Sequence, residues 1–294
     1  MSAKVSICIP TYNNVDEVER LLRSVFAQTY TDFEVHVSDD STNPEIEELI
    51  ERDYPQVNYR HNKKPFGHIF NWNEAIRMSR GEYIKIMFSD DWFTTENSLA
   101  AFVKMLDENP DADFVFSGSR QVKLESGDRY DRHADEQFLE RLRKDYRLLF
   151  LGNQVGAPSA VMYRRGDKVA LFDEQSNWAS DMFLYFDLLA KNATFVSTTE
   201  PLISIGVHEH QYTESFSEKD NRIYQDYKYM FEKYHLVQVK ECRKFFLQKY
   251  MMPFKKGVSE AKALQIPVIE YGFAWLHNLG RTAKSFILHR LGLV

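Results

Sequence analysis

The sequence predicts an α/β protein: a mainly parallel sheet flanked by helices, followed by a helical C-terminal segment. Three observations predict it. Short apolar strands alternate with amphipathic helical patterns from residue 4 to about 118, the spacing of βαβ units. Two pairs of adjacent aspartates, Asp39-Asp40 and Asp90-Asp91, fall at the predicted carboxyl ends of strands, where sheets of this kind bind ligands. From about Ser217 the chain reads as helical, with breaks near Pro253, Gly257 and Pro267.

Residues 4–9 are a buried strand that Pro10 is expected to stop. Asn14 reads as a helix N-cap, and Val18, Leu21, Leu22 and Val25 follow at i, i+3, i+4 and i+7. Phe33 to Val37 is a second strand, running into the polar cluster Ser38 to Thr42. Pro44 suits the first position of the next helix. Val57 to Tyr59 is a short third strand, and Gly67 to Ser79 a helix that Gly81 ends. Tyr83 to Phe88 is a strand, Glu96 to Leu106 a helix and Phe114 to Phe116 a strand. Beyond residue 120, the charged stretch Lys123 to Arg147 contains a helix ending near Phe150. Ser159 to Tyr163 is a strand, Asp181 to Ala190 a helix, and Ala193 to Val196 and Leu202 to Val207 are strands. The expected domains are residues 1–215, with halves 1–118 and 119–215, and a helical segment 216–294.

The chain has 294 residues, 44% hydrophobic and 27% charged, a balance that excludes a disordered chain. No apolar run approaches the ~18 residues of a membrane span. The apolar run near the N-terminus is too short for a signal peptide, so export is not expected. Two cysteines, Cys8 and Cys242, form neither a CxxC nor a zinc spacing, which fits a reducing cytosol. Residues 221–294 hold 13 Lys and Arg against 5 Asp and Glu, or +8, which leaves −14 on the first 220. The acidic body argues against nucleic acid as a partner, while the basic tail suits an anionic membrane or polymer.

Asp90-Asp91 offers hard oxygen ligands for Mg²⁺ or Mn²⁺, and a divalent ion there could bridge the phosphates of a nucleotide. Taken alone, the pair reads equally as a helix cap. Asp39-Asp40 reads either as a turn or as a carboxylate that accepts from a nucleobase N–H. Neither G-x-G-x-x-G nor G-x-x-x-x-G-K-[ST] occurs, which argues against a dinucleotide-dependent dehydrogenase and a P-loop NTPase.

Taken together the motifs are more specific. The segment Val5-Ser-Ile-Cys-Ile-Pro-Thr-Tyr-Asn-Asn14 resembles the opening strand and turn of family 2 glycosyltransferases. Val37-Ser-Asp-Asp-Ser-Thr42 is similar to their second-strand motif. Pro65-Phe-Gly67, Asn73-Glu-Ala75, Gly81-Glu-Tyr83 and Phe88-Ser-Asp-Asp91 follow in the family's order, the last resembling its DxD metal motif. The likeness covers residues 4–118 and extends to about 210. It implies a GT-A fold, a nucleotide-diphosphate sugar donor (UDP first, dTDP or GDP behind) and Mn²⁺ or Mg²⁺. By this resemblance Pro10, Thr11 and Tyr12 line the nucleoside pocket, and Asn13, Gly67 and Asn73 lie on the donor side. Asp40 reads the base edge while Asp39 supports the turn; Asp91 is the main metal ligand, and Asp90 faces the ribose or donor sugar. Ser89 stands where an acid often sits, and Ser41 where the family has glycine.

Glycosyl transfer also needs a base for the acceptor hydroxyl. Trp178-Ala-Ser-Asp181 matches the family's base motif, with Ser180 in place of glutamate. The resemblance makes Asp181 the base of an inverting displacement; the bland alternative is a helix cap. The loop Gly156-Ala-Pro-Ser-Ala160 resembles the acceptor wall, which nominates Pro158 and Ser159, and Trp178 could stack on a sugar or belong to the core. His208 and His210 share a strand face, and either could touch the metal or the diphosphate. The aromatic-rich stretch Tyr224 to Tyr234 reads as helix packing. Phe273, Trp275, Leu276, Leu279, Phe286, Ile287 and Leu291, with Arg281, Lys284 and Arg290, suit an interfacial membrane helix or packing on the catalytic domain.

The expected activity is inverting, metal-dependent transfer from a nucleotide sugar to a glycan or lipid-linked acceptor in polysaccharide or glycolipid assembly, with no nucleic-acid partner. The expected location is the cytoplasm. Peripheral contact with the inner face of the membrane and self-association stay open. A non-catalytic sugar-nucleotide or glycan-binding module is the alternative, with a sugar nucleotidyltransferase behind it.

Overall fold

The structure, a computed structural model, describes residues 3–192, 194–208, 216–217 and 220–290; the side chains at 192 and 281–290 lie outside that description. The chain divides into two compact units. The first comprises Met1–Tyr146, Asn153–Ser176 and Ser180–Gln211; the second comprises Arg147–Gly152, Asn177–Ala179 and Tyr212–Val294.

The first unit is built on a nine-stranded sheet, the α/β architecture expected. Its first half runs β1 (Val5–Thr11), α1 (Val15–Phe26), β2 (Phe33–Asp39), α2 (Glu45–Asp53), β3 (Asn58–His61), α3 (His68–Met78) and β4 (Tyr83–Ile86). Then follow β5 (Asp91–Phe93), α4 (Ser98–Glu108), β6 (Phe114–Lys123), β7 (Arg129–Arg132), α5 (Glu136–Lys144), β8 (Val161–Arg164), α6 (Ser180–Asn192) and β9 (Phe195–Val207). Spatially the strands lie in the order β3-β2-β1-β4-β8-β6-β9-β5, with β7 paired to β6. The pairs β1–β2, β2–β3, β1–β4 and β6–β9 are parallel, and the others antiparallel.

β1 is buried on both faces, as its unbroken Val-Ser-Ile-Cys-Ile run requires. Pro10 does not stop it. The β4 ladder ends at the Cys8–Ile86 pair, so beyond that point Pro10 needs no donor on that side and pairs only with Ser38 of β2. α1 buries Val18, Leu21, Leu22 and Val25, the four positions of the apolar stripe. Each contributes about 1.5–3 kcal/mol of transfer free energy. Asn14 sits at the cap position, but its side chain makes no capping bond.

Several elements differ from the sequence reading. The strand expected at 83–88 ends at Ile86, and Asp91 instead opens a separate short strand, β5, antiparallel to Ile203–Ile205 of β9. The segments expected as two strands at 193–196 and 202–207 form one strand, β9, which crosses the turn-like Thr-Thr-Glu-Pro as a register irregularity against Ser117–Ser119 of β6. β6 itself runs on through the polar Ser117–Lys123, because β9 and β7 flank it there and satisfy its backbone.

The second unit contains α7 (Asn221–Lys233), α8 (Lys240–Phe246), a wide turn at Leu247–Met251, α9 (Val258–Ala263) and α10 (Val268–Arg290). Its core is aromatic. Phe150 lies with its ring centroid 5.5 Å from Tyr227, 5.9 Å from Phe231 and 6.1 Å from Phe246, and Tyr227 stacks on Tyr250 at 3.9 Å. Arg243 forms a bidentate pair with Glu270, both bonds 2.8 Å. Val268, Ile269, Phe273, Trp275, Leu276 and Leu279 of α10 are exposed. Among the described residues no helix is long and apolar enough to cross a membrane. The side chains of Arg281, Lys284, Phe286, Ile287, Arg290 and Leu291 lie outside the described residues.

Candidate active site

The carboxyl ends of β1, β2 and β4, with the antiparallel β5, bring the two aspartate pairs to one edge of the sheet. At the exit of β2, Asp39 is fully buried. It accepts from the Thr11 hydroxyl at 2.9 Å, the Ser41 N–H at 2.9 Å, the Ser41 hydroxyl at 2.5 Å and the Tyr59 hydroxyl at 2.7 Å. Burial, with the Asp39 carboxylate next to it, drives the Tyr59 hydroxyl well above its ordinary pKa. Ser41, the residue in place of glycine, also accepts from the Asn13 N–H at 2.8 Å, while Asn13 Oδ1 accepts from the Thr42 N–H at 2.9 Å. The serine hydroxyl thus pins the exit of β1 to the exit of β2, a contact glycine could not make.

Asp40 is buried as well. Its Oδ1 accepts from Asn62 Nδ2 at 2.8 Å, and its Oδ2 from the N–H groups of Phe66 and Gly67 at 2.8 and 2.9 Å. Gly67 adopts φ +86°, a left-handed conformation that costs glycine nothing. The carboxylate expected to read a base edge therefore fastens the Phe66-Gly67 turn into α3. Asn73 departs further from expectation. It is fully buried, and its amide donates to the Phe172 carbonyl at 3.0 Å and accepts from the Phe172 N–H at 2.8 Å. Pro10 and Thr11 are buried within β1, whereas Tyr12 is 53% exposed, beside Asn13. Of these residues expected on the donor side, Tyr12 and Asn13 are the accessible ones.

Asp91 is held more tightly than its neighbour. It is 2% exposed, and among the described residues its Oδ1 is buried with no hydrogen-bond partner. Burial pushes its carboxyl well above the usual range, and the Asp90 charge adds to this; the Ser159 hydroxyl, Lys85 and the Gly206 N–H oppose it. Lys85 is fully buried under this turn, over the Phe102 ring at 4.7 Å, and donates to the Ser159, Val161 and Ile86 carbonyls. Burial lowers its ammonium to about 7. Asp90 is partly exposed; its backbone carbonyl accepts from Arg20 Nη2 and from the Gly206 N–H, each at 3.2 Å. An added Cβ on Gly206 would lie 2.5 Å from that carbonyl, so β9 can approach the aspartates only with glycine there.

His208, expected at the metal, lies 3.5 Å from Glu17 and 3.9 Å from Asp90. Burial and the Asp90 charge raise the Glu17 carboxyl. Glu17 and Arg20 were not singled out from the sequence. Their i, i+3 spacing beside the apolar stripe of α1 was the available signal. His210 lies outside the described residues.

The 153–160 loop bonds both Asp91 and Asp181, the acids expected as metal ligand and as base. Ser159 is fully buried; its Oγ accepts from the Phe88 N–H at 3.0 Å and bonds Asp91. Pro158, nominated with Ser159 for the acceptor wall, is buried too; the partly exposed residues of the loop are Asn153, Gln154, Gly156 and Ala157. At the other end of the loop, Asn153 Nδ2 donates to Asp181 Oδ2 at 2.6 Å and to the Gly156 carbonyl at 3.0 Å. Asp181 Oδ1 also accepts from the Met182 N–H at 2.7 Å. Tyr185, one turn on along α6, donates to the same Gly156 carbonyl at 2.9 Å. Asp181 is half-buried, its carboxylate oriented from two sides. Trp178 belongs to the other unit, its ring 6.2 Å from Tyr227.

Among the described residues no group of three or more His, Cys, Asp or Glu could hold a metal ion by itself. A divalent ion bound by one or two carboxylates together with substrate phosphates needs no such group. The unpartnered Oδ1 of Asp91 fits that mode.

The family model described as Glycosyl transferase family 2 matches residues 6–169. An uncharacterized glycosyltransferase of Rickettsia bellii (strain RML369-C) is 35% identical over 130 residues, 44% of this chain and 18% of that protein. The chain thus matches about a fifth of the length of its relatives from R. bellii, R. felis and R. conorii. S. aureus TarS residues 1–349, in complex with UDP-GlcNAc, superposes with a TM-score of 0.63 at 18% identity, covering 95% of this chain and 80% of that one. The mannosyltransferase PcManGT from Pyrobaculum calidifontis, in complex with GDP-Man and Mn²⁺, gives a TM-score of 0.59 at 17% identity, covering 97% and 76%. At these identities the two structures establish the shared fold.

Proposed function

Because this chain belongs to glycosyl transferase family 2, we propose that it moves a sugar from a nucleotide-diphosphate sugar, a UDP-sugar first, to a glycan or lipid-linked acceptor with inversion at the anomeric carbon. The observation that supports this most is that two acids are bonded by one loop: Asp91, buried with an unpartnered oxygen and bonded to Ser159, and Asp181, oriented by Asn153. Asp181 Oδ takes the acceptor hydroxyl proton; the acceptor oxygen forms a bond to the anomeric carbon as the bond to the diphosphate oxygen breaks, and the electron pair leaves with the nucleoside diphosphate. Asp91 is the residue that would hold Mn²⁺ or Mg²⁺, with Asp90 and His208 beside it. That ion supplies charge neutralisation for the leaving diphosphate. Tyr12 and Asn13 bound the nucleoside side, and Gly156 and Ala157 the acceptor side. The exposed apolar residues of α10 and the +8 charge of residues 221–294 support peripheral attachment to an anionic membrane at its cytoplasmic face.

Calorimetric titration of UDP, dTDP and GDP, each with and without Mn²⁺, into wild type and Asp91→Ala tests the donor half. The expected result is metal-dependent binding of one nucleotide that Asp91→Ala abolishes. Binding of none of the three, or binding indifferent to Asp91, would overturn the reading and favour a glycan-binding module.

A further inference from the structure

Asp226 sits in the middle of α7, in the part of the chain that bears no likeness to the motifs of the first 210 residues. It is 1% exposed, and its carboxylate is saturated by one short segment. Oδ2 accepts from the backbone N–H groups of Asn177 at 2.9 Å, Trp178 at 2.7 Å and Ala179 at 2.8 Å. Oδ1 accepts from the Asn177 N–H at 3.0 Å and from Asn177 Nδ2 at 2.9 Å. Three consecutive backbone N–H groups converging on one anion form a nest, a concavity suited to negative charge. Burying a carboxylate is costly, and what offsets the cost is this complete set of donors. Asn177–Ala179 and α7 belong to the same compact unit. The next residue, Ser180, begins α6, and the one after it is Asp181.

We propose that Asp226 is a positioning residue for glycosyl transfer: its carboxylate sets the backbone turn Asn177-Trp178-Ala179 that presents Asp181, so turnover depends on α7 while nucleotide binding does not. The proposal rests on the reading of Asp181 as the base. Asp226 does not touch the reacting atoms; it acts through the path of the chain entering α6. Asn153 then orients the carboxylate itself. A displacement of about 1 Å in a reacting group lowers turnover by as much as ~10²-fold, so a fixed entry turn has direct catalytic value.

The test is Asp226→Asn. It keeps the size but replaces one acceptor oxygen with an amide that faces N–H donors. UDP release is measured from UDP-glucose, UDP-galactose and UDP-N-acetylglucosamine, binding of UDP with Mn²⁺ by calorimetry, and backbone exchange over residues 177–182 by hydrogen–deuterium mass spectrometry. The expected result is a fall in kcat on the order of 10- to 100-fold, a UDP Kd and donor KM within about twofold of wild type, and faster exchange confined to 177–182. Asp226→Glu keeps charge and acceptors but pushes the turn outward; it answers the same question if the asparagine variant does not fold, with the same split between kcat and UDP affinity expected. Asp181→Asn runs beside both. If Asp181→Asn turns over normally, the base reading fails. If Asp181→Asn is inactive while Asp226→Asn and Asp226→Glu are fully active, the positioning role alone fails. Exchange at 177–182 unchanged in a folded Asp226→Asn, or loss of UDP affinity together with kcat, also overturns the proposal.

Discussion

Lys85→Met tests whether burial controls the charge beneath the Asp90-Asp91 turn. Lys85 is fully enclosed in β4, over the Phe93 and Phe102 rings, with three backbone carbonyls as its hydrogen-bond partners. Burial lowers its ammonium from 10.5 to about 7, against the opposing pull of Asp91. The unfolded chain keeps this proton up to about pH 10.5, whereas the folded protein gives it up near 7. Between those values unfolding takes up a proton, so wild-type stability rises with pH; below 7 both states are protonated and the whole burial penalty is present. At about 1.4 kcal/mol per pH unit, the penalty is on the order of 5 kcal/mol. Urea denaturation of wild type and Lys85→Met at pH 7, 8, 9 and 9.5 measures it, because the difference between the two proteins cancels the titrations of groups that Lys85 does not touch. From pH 7 to 9.5, the wild type should gain about 3 kcal/mol relative to the variant. A difference that stays flat would mean that the folded protein keeps Lys85 charged through this range, with the three carbonyls and Asp91 outweighing desolvation, and the reasoning would be refuted.

Two further perturbations probe the frame around the site. Gly206→Ala places a methyl group 2.5 Å from the Asp90 carbonyl; it should weaken UDP–Mn²⁺ binding by calorimetry and cost about 1–3 kcal/mol in denaturation, and wild-type values in both would remove the close approach of β9 as a requirement. Phe150→Ala empties the centre of the aromatic core of the helical unit, where Phe150 is fully buried. A loss of about 3–5 kcal/mol is expected in chemical denaturation, and a loss under ~1 kcal/mol would mean that the surrounding rings close over the gap.

The residues that sequence pattern places well are those whose environment follows from local period. The i, i+3, i+4, i+7 stripe of α1 is buried at all four positions, and the unbroken apolar run of β1 lies in the middle of the sheet. Local pattern fails where a partner far along the chain decides the outcome. Phe88 was expected to continue a strand, but Asp91–Phe93 pairs with β9, more than a hundred residues away, and the ladder breaks between them. Asn73 matched a motif, yet its amide is consumed by Phe172, 99 residues on. Ser159 and Pro158 looked like an exposed Gly-Pro loop, but Lys85 and Phe88 draw the loop under the sheet edge.

By itself, the sequence determined the α/β class, the order of the first strands and helices, the family, and the place of Asp39-Asp40 at a strand end, because strand and helix periods and βαβ spacing are properties of neighbouring residues. Tertiary structure alone decided what each carboxylate is committed to. Asp40 holds the Phe66-Gly67 turn, Asp91 keeps an oxygen unpartnered against Ser159, Asn153 orients Asp181, and Asp226 organises the turn before it. A buried polar group must find partners wherever the fold brings them, and those partners lie 26 to 68 residues away in sequence, beyond the reach of any local period.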